Sequence, residues 1–263
     1  MCSSPPSLAP SLLRVVALAF ALLTAAPLAN AAPRADDAVD DFVATVMHKL
    51  HVPGMGVAIV RAGKIEKLRA YGLANLEWRA PVSATTRFQL ASTTKLFTGT
   101  LLMRLVQDGK IALADPVATY LPDAPPAWKN ITVAQLAAHA SGIAGGGDPR
   151  AATVSVADAY RAARARPLAY APGAHSDYGG GDFDVLAYLL ERVGGQPFPE
   201  LLRTRVWQPL DLKCTTFDDA TQDGLMRTAR VVPERASVYG FSDGQLELQW
   251  FLFPAHTYAM GGA

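Results

Sequence analysis

The sequence predicts an α+β fold: an antiparallel sheet flanked by helices and interrupted by a large all-helical insert. Three observations carry this. A helix followed by a strand, turn and strand pattern fills residues 36–71. Helical periodicity then persists from about residue 82 to about residue 220. Strand character returns only at Val238 to Phe253, turning at Ser242-Asp243-Gly244.

In the first helix Val39, Phe42, Val43, Val46 and Leu50 recur at helical spacing. Asp36, Asp37, Asp40 and Asp41 stand early and His48 and Lys49 late, matching the helix dipole. Pro53-Gly54 ends it. Met55 to Val60 is continuously apolar, Ala62-Gly63-Lys64 reads as a turn, and Ile65 to Tyr71 returns as a second strand. In the insert, Leu96, Phe97, Leu101, Leu105 and Val106 form one broad face before Asp108-Gly109. Thr132 caps a short helix with Gln135, Leu136 and His139. A Gly-rich loop at Gly142 to Gly147 precedes a helix near Ser155 to Ala165. Phe183, Leu186, Ala187, Leu190 and Val193 mark another helix, stopped by Gly194-Gly195.

With 263 residues, half of them hydrophobic, the chain can bury a sizeable core. Residues 1–31 differ from the rest: Arg14 is their only charge, Val15 to Ala26 is apolar apart from Thr24, and Ala29-Asn30-Ala31 fits a small-x-small cleavage site. The run is too short to span a bilayer and reads as a signal peptide, which implies a periplasmic or secreted protein without a stable membrane span. Residues 32–263 form the remaining domain. Cys2 leaves with the leader, so Cys214 is expected as a small core residue with no intrachain disulfide. Without Arg14 the charges balance, and nothing points to nucleic acid as a partner.

The stretch FQLASTTKLFTGT, Phe88 to Thr100, poses the chemical question. Positions i and i+3 share a helix face, so Ser92 and Lys95 point the same way. One reading is a capped helix with an incidental lysine. The other is a nucleophile and a proton carrier, because a serine hydroxyl is inert near neutrality unless a base takes its proton, and a desolvated lysine can help do so.

Longer segments bear on the choice. LASTTKLFTGTLLMRLVQDGKIALADPVATYLP, then ITVAQLAAHASGI, then APGAHSDYGGGDFDVLAYLLERVGG from Ala171 to Gly195, and WQPLDLKCTTF from Trp207 follow one another. In this order they resemble the serine β-lactamase and penicillin-binding-protein-like hydrolase family, in its class C-like and esterase branch. The resemblance implies a β-lactamase/transpeptidase-like fold and an acyl-enzyme formed on the Ser-x-x-Lys serine. The matching residues are Ser92 and Lys95.

That branch carries a second motif, Tyr-x-Asn, in which the tyrosine shuttles protons and the asparagine contacts the substrate amide. Two registers compete. Ser176-Asp177-Tyr178 read as Ser-x-Asn puts a tyrosine in the asparagine's place, whereas Tyr178-Gly179-Gly180 keeps the tyrosine and loses the asparagine to Gly180. The second keeps the spacing from Pro172-Gly173 to the following helix, so Tyr178 is the third candidate catalytic residue. Gly180 offers no amide to a β-lactam or peptide carbonyl, which favours an esterase or a broader acyl hydrolase. The family's third motif, Lys-Thr-Gly or His-x-Gly, has only a partial echo in His256-Thr257-Tyr258. Met260-Gly261-Gly262 resembles a family segment well before that motif, so His256 reads as a decoy and the chain is expected to stop short of the terminal strands.

The implied partner is a small-molecule acyl substrate: a β-lactam, an ester or a D-Ala-type peptide. No cofactor is needed. His48 and His51 lack a third ligand for zinc, no Gly-x-Ser-x-Gly elbow occurs, and Gly145-Gly146-Gly147 lacks the Gly-Lys-Ser/Thr of a phosphate loop. His139 reads as a loop brace, His175 as exposed, and Arg161, Arg164 and Arg166 as a solvated helix face. A non-catalytic penicillin- or peptidoglycan-binding module is the alternative, supported by Gly180 and the absent third motif.

Overall fold

The computed structural model describes residues 38–145, 155–217, 221–223, 226–228, 230–249 and 258–261. The expected leader and His256 lie outside them.

Helix α1 (Ala38–Lys49) leads into strands β1 (Gly54–Arg61) and β2 (Lys64–Asn75), which pair antiparallel with Val57 opposite Arg69 and Ala58 opposite Leu68. The two-residue turn has Ala62 at φ 48° and Gly63 at φ 75°, the left-handed pair that matches strand twist in a tight hairpin. A short β3 (Ala80–Pro81) adds a third strand beside β2. Buried Asp40 pins α1 to this sheet: Lys67 Nζ lies 2.7 Å from its carboxylate, and Arg69 and the Tyr71 hydroxyl bond to it as well. On the sheet face toward α1 these polar groups sit beside half-buried Met55, Val57 and Ile59, while Ile65 and Leu68 on β2 are exposed.

The main core belongs to the helical segment. Helices α2 (Lys95–Gln107), α3 (Val133–Ala137), α4 (Val156–Arg164), α5 (Gly181–Gly194) and α6 (Phe198–Leu202) bury Leu101, Leu105, Leu136, Leu189, Leu190 and Phe198 completely. Each such side chain contributes about 2 kcal/mol through water exclusion. Thr132 caps α3 through a reciprocal bond pair with Gln135, and Ser155 does the same for α4 with Asp158. Gly195, at φ 72°, closes α5 in the left-handed conformation.

Strands β4 (Thr221–Asp223) and β5 (Met226–Thr228) form a hairpin that sequence patterning passes over, because three residues are too few to display alternation. Strands β6 (Val238–Ser242) and β7 (Gln245–Gln249) form the expected hairpin, turning at Asp243-Gly244. The residues entering β6 join β2: Ser237 N–H donates to Ala74 O at 2.9 Å and Leu76 N–H to the Tyr239 hydroxyl at 2.8 Å. Helix α7 (Tyr258–Gly261) packs on α2 and α5. Among the described residues no helix is long and apolar enough to cross a membrane.

Cys214 corrects the expectation of an unpaired core cysteine. It lies exposed between α6 and β4, and it is disulfide-bonded.

Candidate active site

Ser92 sits in a single tight helical turn, Ala91–Thr94, that runs directly into α2. Ala91 enters that turn at φ 46°, a left-handed conformation that costs a residue bearing a Cβ about 1–2 kcal/mol. A capping role for Ser92 does not materialise. The cap position of α2 is Thr94, with no side-chain capping bond. The Ser92 hydroxyl turns instead toward Lys95 and Tyr178, with Lys95 Nζ at 3.3 Å and the Tyr178 hydroxyl at 2.7 Å.

Tyr178 comes from the loop before α5, which is stitched to the segment after α3. Asp177 N–H donates to His139 O, Ser176 Oγ to Ala138 O and Gly173 N–H to Ala140 O, each at 2.8 Å. The start of α5 presses on the same segment. A Cβ on Gly181 would stand 2.7 Å from Ala144 O and 2.8 Å from Ile143 O, so only glycine fits that approach. Gly180 differs: its Cβ would meet the Met260 side chain at 3.5 Å, an ordinary contact.

Lys95 links the parts. Its Nζ donates to the Tyr178 hydroxyl at 2.6 Å and to Met260 O at 2.8 Å, besides Ser92. Three oxygens thus surround the three donors of an ammonium. The cation also faces the Tyr178 and Phe183 rings, 4.7 and 5.2 Å from their centroids. Burial pushes the Tyr178 phenol up, yet the hydrogen bonds to Lys95 and Ser92 and the Lys95 charge outweigh it, holding the phenol below its ordinary value.

All three candidates named from sequence, Ser92, Lys95 and Tyr178, therefore meet at one point. Ser92 and Tyr178 are exposed and Lys95 is half-buried, an arrangement open to a substrate. Sequence reasoning missed the α7 contribution. Thr98 Oγ1 donates to Ala259 O at 2.5 Å and Lys95 to Met260 O, and backbone carbonyls carry no residue-type signature. His139 is more than a loop brace, since its buried ring lies against Tyr178. His175 is exposed and its ring lies tilted against Tyr170. Arg161 and Arg164 pair with Asp158 and Asp123, and Arg166 donates to Gly145 O. Among the described residues no group of His, Cys, Asp and Glu is arranged to hold a metal.

A family model described as Beta-lactamase matches residues 39–245. Protein flp of Staphylococcus aureus (strain MW2) is 29% identical over 187 residues, which make up 68% of this chain and 38% of that protein. A Beta-lactamase of Escherichia coli (strain K12) is 31% identical over 199 residues, 74% of this chain and 52% of that one. The chain thus spans about half the length of these curated relatives or less. Among solved structures, FmtA from Staphylococcus aureus matches with a TM-score of 0.69 and 25% identity over 84% of this chain and 60% of that one. The octameric penicillin-binding protein homologue from Pyrococcus abyssi gives a TM-score of 0.67 with 24% identity, over 85% of this chain and 52% of that one, a likeness of fold alone.

Proposed function

Because this chain belongs to the Beta-lactamase family and has its α+β, transpeptidase-like fold, we propose that it is an exported serine hydrolase that forms an acyl-enzyme at Ser92. The supporting observation is the closed set of contacts among Ser92 Oγ, the Tyr178 hydroxyl and Lys95 Nζ.

In the proposed reaction Tyr178, as phenolate, takes the Ser92 proton while Oγ bonds to the acyl carbon of the substrate. The bond to the leaving group then breaks, and Tyr178 returns its proton to that group. Water repeats the sequence on the acyl-enzyme: Tyr178 accepts its proton, the new C–O bond forms, and Ser92 leaves with a proton restored. Lys95 Nζ keeps its hydrogen bond to the Tyr178 oxygen, stabilising the phenolate and the negative charge that develops nearby. Small acyl compounds are the substrate class, with esters ahead of β-lactams and D-Ala-type peptides because Gly180 presents no amide. No cofactor enters.

Gly180 also favours a second reading, a penicillin- or peptidoglycan-binding module that is acylated without turnover, or only binds. One experiment separates the two. Hydrolysis of a short-chain p-nitrophenyl ester that disappears in Ser92→Ala supports the hydrolase; a penicillin adduct that persists, with no ester turnover, supports the binder. Export is part of the first reading and is checked at the mature N-terminus, expected at Ala32. Cleavage there would remove Cys2 and with it any intrachain partner for Cys214, so the thiol count reports on the same event.

A further inference from the structure

Tyr178 is 64% exposed, so its ring needs something to hold the hydroxyl on target. What lies behind it is an imidazole. His139 is 8% exposed, and its ring centroid is 4.6 Å from that of Tyr178 at an interplanar angle of 47°. Its other neighbour is buried Phe183, stacked at 4.9 Å and 25°. Tyr178 is therefore backed by a flat ring that is itself clamped against the helical core.

The imidazole has polar neighbours on one edge. Gly179 N–H approaches Nδ1 at 3.5 Å, and Asp182 Oδ2 lies 3.6 Å away. Asp182 is 2% exposed and accepts from the Ser141 hydroxyl and backbone N–H, and its Oδ1 has no hydrogen-bond partner. A buried carboxylate with an unsatisfied oxygen is costly, and packing alone gives no reason to keep one here. The other titratable groups facing the pair are Lys95 on α2, and Asp177, Tyr170 and Tyr178 on the loop. Burial and the Lys95 charge hold the imidazole below its ordinary value, and burial raises the Asp182 carboxyl to about 6. The first shift favours the uncharged imidazole, which suits a support placed close to an ammonium and a phenolate, whereas a carboxyl at about 6 is ionised where Tyr178 works as a phenolate.

Resting on the serine-hydrolase reading, we infer that His139, oriented by Asp182, is a positioning residue for Tyr178. Its face fixes the angle of the phenol ring so that one hydroxyl meets Ser92 Oγ and Lys95 Nζ together. Misplacing a reacting group by about 1 Å can cost on the order of a hundredfold in rate, so a support of this kind acts on turnover rather than on substrate affinity.

The test is steady-state hydrolysis of a p-nitrophenyl ester across pH by the full chain and its variants. His139→Leu keeps bulk without a flat ring. It is expected to lower kcat by about 10- to 100-fold with KM within about threefold, and to move the acid limb of the profile to higher pH as the phenol drifts from Lys95. His139→Phe restores the ring and is expected to recover kcat to within about threefold of wild type on the plateau. A folded His139→Leu protein with wild-type kcat and limb overturns the inference, as do Leu and Phe variants impaired alike. Should His139→Leu not fold, Asp182→Asn carries the test: the same upward shift of the limb supports the inference and an unmoved limb overturns it. Absence of Ser92-dependent turnover in the wild type would instead sink the hydrolase reading, and this inference with it.

Discussion

The Tyr178 hydroxyl donates to Ser92 Oγ at 2.7 Å although 86 residues separate the two in sequence. The stitched loop before α5 delivers the first and the turn into α2 the second. Removing the phenol oxygen should therefore abolish proton transfer without disturbing the fold. Tyr178→Phe is expected to reduce ester kcat by about 10²- to 10⁴-fold and to leave thermal unfolding unchanged, because the ring is largely exposed.

The proton inventory fixes a pH dependence. Activity should rise as the Tyr178 phenol ionises, with a midpoint below the ordinary phenol value because hydrogen bonds and the Lys95 charge favour the phenolate. Lys95→Met removes its own hydrogen bond and charge and leaves only the Ser92 bond, so its residual activity should titrate at higher pH than wild type. A pH profile of kcat/KM for the two proteins checks the direction.

Asp182 gives a stability prediction of opposite sense to that of a salt-bridged carboxylate. Its folded-state value, about 6, lies above the ordinary carboxyl value of 3.8, so the native state binds a proton more tightly than the unfolded chain. Stability is then greatest below the unfolded value and falls as pH rises through about 6, by about 3 kcal/mol in all. Denaturant titrations at pH 4.5 and 8 should show about 2 kcal/mol of this loss in wild type, the part that lies above pH 4.5, and a much smaller one in Asp182→Asn.

Gly180 and Gly181 should respond in opposite ways. Gly180→Asn meets only an ordinary contact with Met260 and sits at φ −77°, a conformation any residue adopts, so the protein should fold normally. The new amide should speed acylation by a penicillin about tenfold or more, read by the rate of adduct formation. Gly181→Ala drives a methyl into the Ile143 and Ala144 carbonyls and should destabilise by about 1–3 kcal/mol in thermal or denaturant unfolding.

Asp40 anchors α1 to β2. Replacing it with alanine leaves Lys67, only 13% exposed, and Arg69 without the carboxylate, at a cost of about 3–5 kcal/mol in denaturant unfolding. A loss under 1 kcal/mol would mean that the cluster is not the anchor.

The sequence reading and the structure part where contact replaces pattern. The Ser92–Lys95 relationship was legible because helical spacing sets it, and the helices were legible because Leu101, Leu105, Leu186 and Leu190 recur at that period. Tyr178 was legible only through its motif, since no periodicity ties a loop tyrosine to a serine on another element. The Met260 carbonyl on Lys95 left no trace, because any residue supplies a carbonyl. His139 looked like a loop residue for a related reason: its neighbours Tyr178, Asp182 and Phe183 lie about 40 positions further along and reach it only through folding. Cys214 was misplaced because a cysteine's small apolar character argues for the core, whereas its segment follows the exposed Leu210-Asp211 turn.

The most direct test is the site of acylation. The protein is mixed with a p-nitrophenyl ester or a penicillin, quenched in acid, digested with trypsin and mapped by mass spectrometry. An acyl mass is expected on the peptide Phe88 to Lys95, carried by Ser92 and absent from Ser92→Ala. Ester turnover with no adduct on that peptide, or an adduct that survives Ser92→Ala, would contradict it.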